Sequence, residues 1–162
     1  MEITPDRVRA ERDRVRGRDD VVELINDTRA RLGDAFETEV APVTDTAYRR
    51  EVDRVFADGD RAVNVAAYVA LLRDLDVEGD YPGFVVDERL GRLLAATIAG
   101  GEPLGTLAEA TFHYADVHTH GGGPAGADDL SAALAAGFQT RLPGWPWTAG
   151  ESPFAVDPAG RE

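Results

Sequence analysis

One short segment of this chain concentrates the residue types that do chemistry. Residues 110–123, ATFHYADVHTHGGG, hold all three histidines, His113, His118 and His120, together with Asp116. On a helix running through the segment, Glu109, His113, Asp116 and His120 stand at i, i+4, i+7 and i+11 and share one face, opposite Thr111, Ala115 and His118. Two imidazoles and two carboxylates on a single face form a donor set for a divalent zinc, iron or manganese ion with open positions. Metal-dependent chemistry with Glu109 as ligand or base is one expectation.

Ordinary roles compete with it. Glu109 completes a capping box with Thr106, and histidines in the last turn before glycine are favoured by the helix dipole. His118 falls on the apolar side, where a histidine serves the core or its edge. The spacing is Glu-x-x-x-His rather than the Glu-x-x-His of carboxylate-bridged bundles, and one helix does not complete a site. Glu51, Asp53 and Asp74 are the other acids available.

Most other chemistry is excluded by residue type. The chain has no lysine and no cysteine, which removes Schiff bases, thiol nucleophiles, P-loops, disulfides and cysteine-ligated metals. Its two serines, Ser131 and Ser152, lie outside any G-x-S-x-G setting. Gly100, Gly101 and Gly105 do not form a dinucleotide-binding fingerprint. No catalytic residue and no cofactor is therefore assigned, and the balance leans away from an enzyme.

All the basic charge is carried by 17 arginines, against 30 acids, for a net charge of −13. Such a surface repels itself in dilute buffer, but in about 1 M salt the Debye length falls to roughly 3 Å. Over its whole length the composition resembles that of cytoplasmic proteins of extreme halophiles, a resemblance that implies no particular activity. The first residues, MEITPDRVRAERDRVRGRDD, lack the apolar run of a secretory signal. No apolar stretch approaches the roughly 20 residues needed to span a bilayer. A cytoplasmic protein without membrane contact is expected.

The elements that would position these groups are punctuated by proline and glycine. Val21, Ile25, Thr28 and Leu32 recur at helical spacing, with Asp20 and Glu23 as a capping-box variant and Gly33 as a stop. Tyr48, Val52, Val55 and Phe56 define a second helix over 44–58, ended by Gly59. Val65, Val69, Leu72 and Leu75 define a third, with Asp60 as N-cap. Leu90, Leu93, Leu94, Thr97 and Ile98 form the stripe of a fourth, opened near Asp87 and stopped at Gly100. The fifth is expected from Thr106 to the triple glycine at 121–123. Leu130, Leu134 and Phe138 mark the sixth, starting near Asp128 or Asp129. Only 84–86 resembles a strand, too short to found a sheet. The fold expected is all-α: a compact bundle or orthogonal array of about six short helices.

Two segments flank the helical domain at 19–141. Residues 1–18 form an arginine-rich arm in which Arg7, Arg9, Arg12, Arg14, Arg16 and Arg18 stand against Glu11 and Asp13. Pairs at i,i+3 (Asp6 with Arg9, Glu11 with Arg14, Asp13 with Arg16) would make it a solvated helix. Alternatively it grips an acidic surface, such as a neighbouring subunit. Residues 142–162 are an irregular tail rich in proline and glycine. Trp145 and Trp147 would strap it onto the bundle or dock it on a partner.

Nucleic acid is disfavoured, because phosphate contacts weaken by about 10³ to 10⁵ between 50 and 200 mM salt. A helix-turn-helix across FADGDRAV would offer Arg61, Asn64 and Arg73 to bases, yet Asp58, Asp60, Asp74 and Asp76 would repel the backbone. The function expected is that of a non-catalytic accessory, assembly or chaperone-like protein acting through a protein partner or a second copy. The alternative is a metal-dependent enzyme.

Overall fold

The structure, a computed structural model, describes residues 1–79, 81–101, 104–117 and 126–144. Among them are seven helices and no strand: α1 (Pro5–Arg16), α2 (Asp19–Ala35), α3 (Asp45–Ala57), α4 (Gly59–Asp74), α5 (Val86–Ala99), α6 (Leu104–Asp116) and α7 (Ala127–Gln139). The fold is an all-α bundle, and the arginine-rich arm supplies its additional helix. Trp145, Trp147, His118 and His120 lie outside the described residues.

Local chemistry sets most helix ends. Thr4 caps α1 through Arg7 N–H, with Pro5 at the first helical position, where its missing donor costs nothing. Thr44 caps α3 through Ala47 N–H at 3.1 Å. Asp58 ends α3 and also caps α4 through Arg61 N–H, so a single residue separates the two. The expected cap at Asp60 sits instead inside the first turn. Gly100, at φ 84°, terminates α5 in the left-handed conformation.

Four expected ends move. Gly33 does not stop α2, which runs to Ala35; a Cβ there would lie 2.7 Å from Thr38 O, so the glycine admits the returning chain. Asp20 does not cap α2 but pairs with Arg18. The capping box of Thr106 and Glu109 does not form, because α6 is under way two residues earlier, with Gly105 N–H already bonded to Gly101 O at 2.7 Å. The assigned helix also ends at Asp116, with Val117 in a turn, short of the triple glycine.

The centre of the bundle is α7. Its periodicity marks only Leu130, Leu134 and Phe138, yet residues 129–140 are all buried, Ala132, Ala133, Ala135 and Ala136 among them. A helix apolar or small all round belongs inside, and small side chains let α2, α5 and α6 approach it closely. At Gly137 a Cβ would stand 2.8 Å from Ile98 Cβ. Phe138 meets Tyr48 edge to face, ring centroids 5.4 Å apart, and the Tyr48 hydroxyl donates to Val15 O at 2.7 Å.

Two buried charges lock the periphery to this centre. Arg29, among the most buried side chains, donates to Gln139 O, Leu142 O, Ala41 O and Pro143 O at 2.6–3.0 Å. It thereby ties the C-terminal end of α7 and the chain beyond it to α2, and burial lowers its pKa to about 10. Glu11, also fully buried, is held by Arg7 at 3.1 Å, by Arg14 at 2.8 Å and by Arg73 of α4. Burial works to raise its pKa, but the hydrogen bond and charge of Arg73 and the charges of Arg14 and Arg7 win, so it is lowered.

The arm is thus a packed element. Arg9 pairs with Asp6, Arg12 with Asp13, Arg16 with Asp53 of α3 at 3.0 Å, and Arg18 with Asp20. With Arg7 and Arg14 on Glu11, all six arginines meet carboxylates of the same chain. Asp6 with Arg9 and Glu11 with Arg14 form as the spacing predicts, whereas Arg16 reaches across to α3 rather than to Asp13.

Candidate functional site

The titratable residues of most interest gather where three helix ends meet. Asp87 and Glu88 occupy the first turn of α5, and Asp128 and Asp129 the first turn of α7, positions that the positive end of a helix dipole favours. His113 and Asp116 lie in the last turns of α6. Close packing among α5, α6 and α7 brings these ends together. The turn into α7 is made by Gly126, at φ 92°, where a Cβ would lie 2.5 Å from Leu72 O.

Asp129 is the innermost of the group, 8% exposed. Burial first, then the charges of Asp116 and Asp87, a hydrogen bond with Asp87 and the charge of Asp128 push its pKa up to about 7. Two carboxyl groups that share a hydrogen bond hold a proton between them, because an ionised carboxylate only accepts. Asp116 is raised for related reasons: burial, then Asp128, Glu88 and Asp87, opposed by His113. Of this corner, Asp129 is the carboxyl that holds its proton up to near neutrality.

The sequence-derived metal face is only partly assembled. Glu109 and His113 lie one turn apart on α6, His113 exposed and Glu109 half-buried, while Asp116 turns toward α7. Among the described residues no three histidine, aspartate or glutamate side chains are grouped so as to hold a metal ion. The acids considered as supplementary ligands are engaged elsewhere: Glu51 by Arg54 and Arg141, Asp53 by Arg16, Asp74 by Arg7 and Arg73. Sequence reasoning used Asp87, Asp128 and Asp129 only as helix caps. Their position in the first turns of two helices was visible, but not that the two helices open at the same corner.

Glu109 instead belongs to an open groove of about 470 Å³ between α5 and α6, lined by Val85, Glu88, Arg89, Arg92, Leu93 and Glu109. Val85 and Leu93 are exposed there, Leu93 to 46%; Val86, the next residue on α5, is exposed as well, and Tyr81 precedes them at 62%. Val86 and Leu93, seven residues apart, share a helix face. Glu88 binds Arg92 at 2.6 Å. Neither Arg89 nor Glu109 has an ion-pair partner among the described residues.

Other candidates have structural employment. The Ser131 hydroxyl accepts from Arg18 at 2.7 Å and donates to Asp20 at 3.3 Å. Against the burial that would raise it, Asp20 has a lowered pKa because of Arg18 and Ser131. The helix-turn-helix residues are also spent within the fold: Arg73 on Glu11, Asn64 on Asp60 O, and Arg61 on Asp58 at 3.8 Å. Among the described residues no helix is long and apolar enough to cross a membrane.

These features define a small α-helical bundle whose distinctive corner is rich in carboxylates and flanked by an open groove lined by both charged and apolar side chains. By sequence, residues 1–158 match DUF7984, described as a domain of unknown function, and the chain belongs to that family. No curated protein and no solved structure shows significant similarity to it.

Proposed function

We propose that the protein is a non-catalytic helical accessory or assembly factor of a high-salt cytoplasm, and that it works by association, its partner a second copy meeting across the α5–α6 face. The observation that carries this reading is the make-up of the groove. A net charge of −13 sets copies of the chain against one another over most of their surface. Here two arginines and two glutamates surround exposed Val85 and Leu93.

Such a patch is self-complementary under a twofold axis. Arg89 of one protomer meets Glu109 of the other while Leu93 and Val86 bury each other. Burying a leucine this way contributes about 1.5–3 kcal/mol. Molar salt screens the repulsion between the acidic bodies and leaves the close ion pair less affected. The arm supplies stability within the protomer, since its arginines are neutralised there.

Sedimentation over a range of protein concentrations in molar sodium chloride tests the reading. A dimer is expected for the wild type and monomer for Leu93→Asp and Arg89→Glu, with the dimer restored by Arg89→Glu combined with Glu109→Arg. Wild-type monomer at every concentration refutes it.

A second reading, metal-dependent catalysis, draws on Asp116 and Asp129, whose pKa values are raised by burial and by the neighbouring charges of Asp87 and Asp128, beside His113. Stoichiometric zinc, iron or manganese after purification in high salt, lost on replacing His113 and Asp116, would favour it.

A further inference from the structure

We propose that a second concavity, between α3 and the end of α7, binds a small phosphate-bearing molecule through Arg50, Arg54 and Arg141. The pocket, of about 330 Å³, is lined by these three arginines with Glu51, Ala47, Leu142 and Pro143. Three guanidinium groups against one carboxylate leave an excess of positive charge, on a chain whose overall charge is −13.

The cations are arranged by the fold. Glu51, whose side chain is 8% exposed, accepts from Arg54 Nη1 at 2.8 Å and from Arg141 Nε at 3.1 Å, one on each oxygen. Arg141 Nη1 also donates to Ile98 O and Ala99 O at 3.3 and 3.5 Å, the last carbonyls of α5. Two guanidinium planes are therefore held before any ligand arrives, which lowers the ordering cost of binding. Arg50 is exposed and pairs with no carboxylate among the described residues, so the fold makes no use of its charge.

Planar guanidinium forks match the oxygens of a phosphate, and charge-assisted bonds of this kind are roughly twice as strong as neutral ones. The volume lies at the small end of the roughly 300–1,000 Å³ range of ligand sites. It suits a compact molecule with its phosphate on the arginines and its carbon body against Ala47, Leu142 and Pro143, rather than an extended peptide or a duplex.

Titration calorimetry in potassium chloride tests this with inorganic phosphate, phosphoenolpyruvate and a hexaglutamate peptide. Saturable binding of phosphoenolpyruvate, with inorganic phosphate weaker at the same site, is expected. Arg50→Ala should weaken it by about tenfold or more, the effect of losing a charged hydrogen bond. Arg31→Ala, which removes an exposed arginine from α2, should leave it unchanged. Because Arg50 makes no ion pair among the described residues, its replacement should leave the thermal midpoint of the free protein in place. The proposal is overturned if neither phosphate compound binds, if Arg31→Ala weakens binding as much as Arg50→Ala, or if the peptide alone binds.

Discussion

Replacing Asp129 with asparagine should make the protein more stable at neutral and alkaline pH, an unusual outcome for a buried polar residue. Asp129 is 8% exposed, shares a hydrogen bond with Asp87 and faces Asp116 and Asp128, and its pKa is pushed up to about 7. In the unfolded chain an aspartate titrates near 3.8. Between these values the folded state holds a proton that the unfolded state has released, so stability falls as pH rises through the interval and is level above it. Three units at 1.36 kcal/mol each amount to about 4 kcal/mol. Molar salt screens the share due to Asp87, Asp116 and Asp128, leaving about 2–4 kcal/mol.

Asparagine keeps the shape and can donate to Asp87, but carries no charge to bury. Urea denaturation in molar salt should therefore show Asp129→Asn more stable than wild type by about 2–4 kcal/mol at pH 8. The difference should shrink to nearly nothing at pH 4. A variant less stable than wild type at pH 8, or a difference that does not change with pH, would refute the proton-sharing corner.

Two other buried charges make predictions of opposite character. Arg29→Met should cost about 3 kcal/mol or more, since the carbonyls of Ala41, Gln139, Leu142 and Pro143 all lose their donor, and denaturant titration will register it. Glu11→Gln should lower stability by about 2–3 kcal/mol at pH 7 by leaving Arg7, Arg14 and Arg73 without their shared counter-charge. Because the folded pKa of Glu11 lies below its unfolded 4.5, the wild type holds this contribution above that value and loses it as pH falls through the folded pKa. The gap between the two proteins should close in acid, as thermal unfolding at a series of pH values would show.

Much of the fold was legible residue by residue. The second helix near 44–58, the stop at Gly100 and the Val52, Val55 and Leu94, Ile98 stripes all follow from bonding within one turn or contact along one face. Misreadings arose where a local signal had two uses. Gly33 resembles a helix stop, but what requires a glycine is the main chain at Thr38, brought back by the loop after α2. Thr106 and Glu109 have capping-box spacing, but the helix had already started at Leu104. In α7 the alanines between Leu130, Leu134 and Phe138 gave no periodic signal, because a helix packed on all sides has no polar face to reveal.

Taken alone, the order of residues determined that this chain would be helical, strongly acidic, and without any lysine or cysteine to do chemistry. Those properties depend on residue types and on neighbours three or four positions apart. Tertiary structure decided which charges meet: that Glu11 of the arm would vanish beneath Arg73, that Asp87 and Asp129 would share a proton, and that Arg50, Arg54 and Arg141 would ring one pocket. Each such encounter rests on a pair of groups from 42 to 90 residues apart in the chain, and it exists only because the packing of one helix on another brings them together.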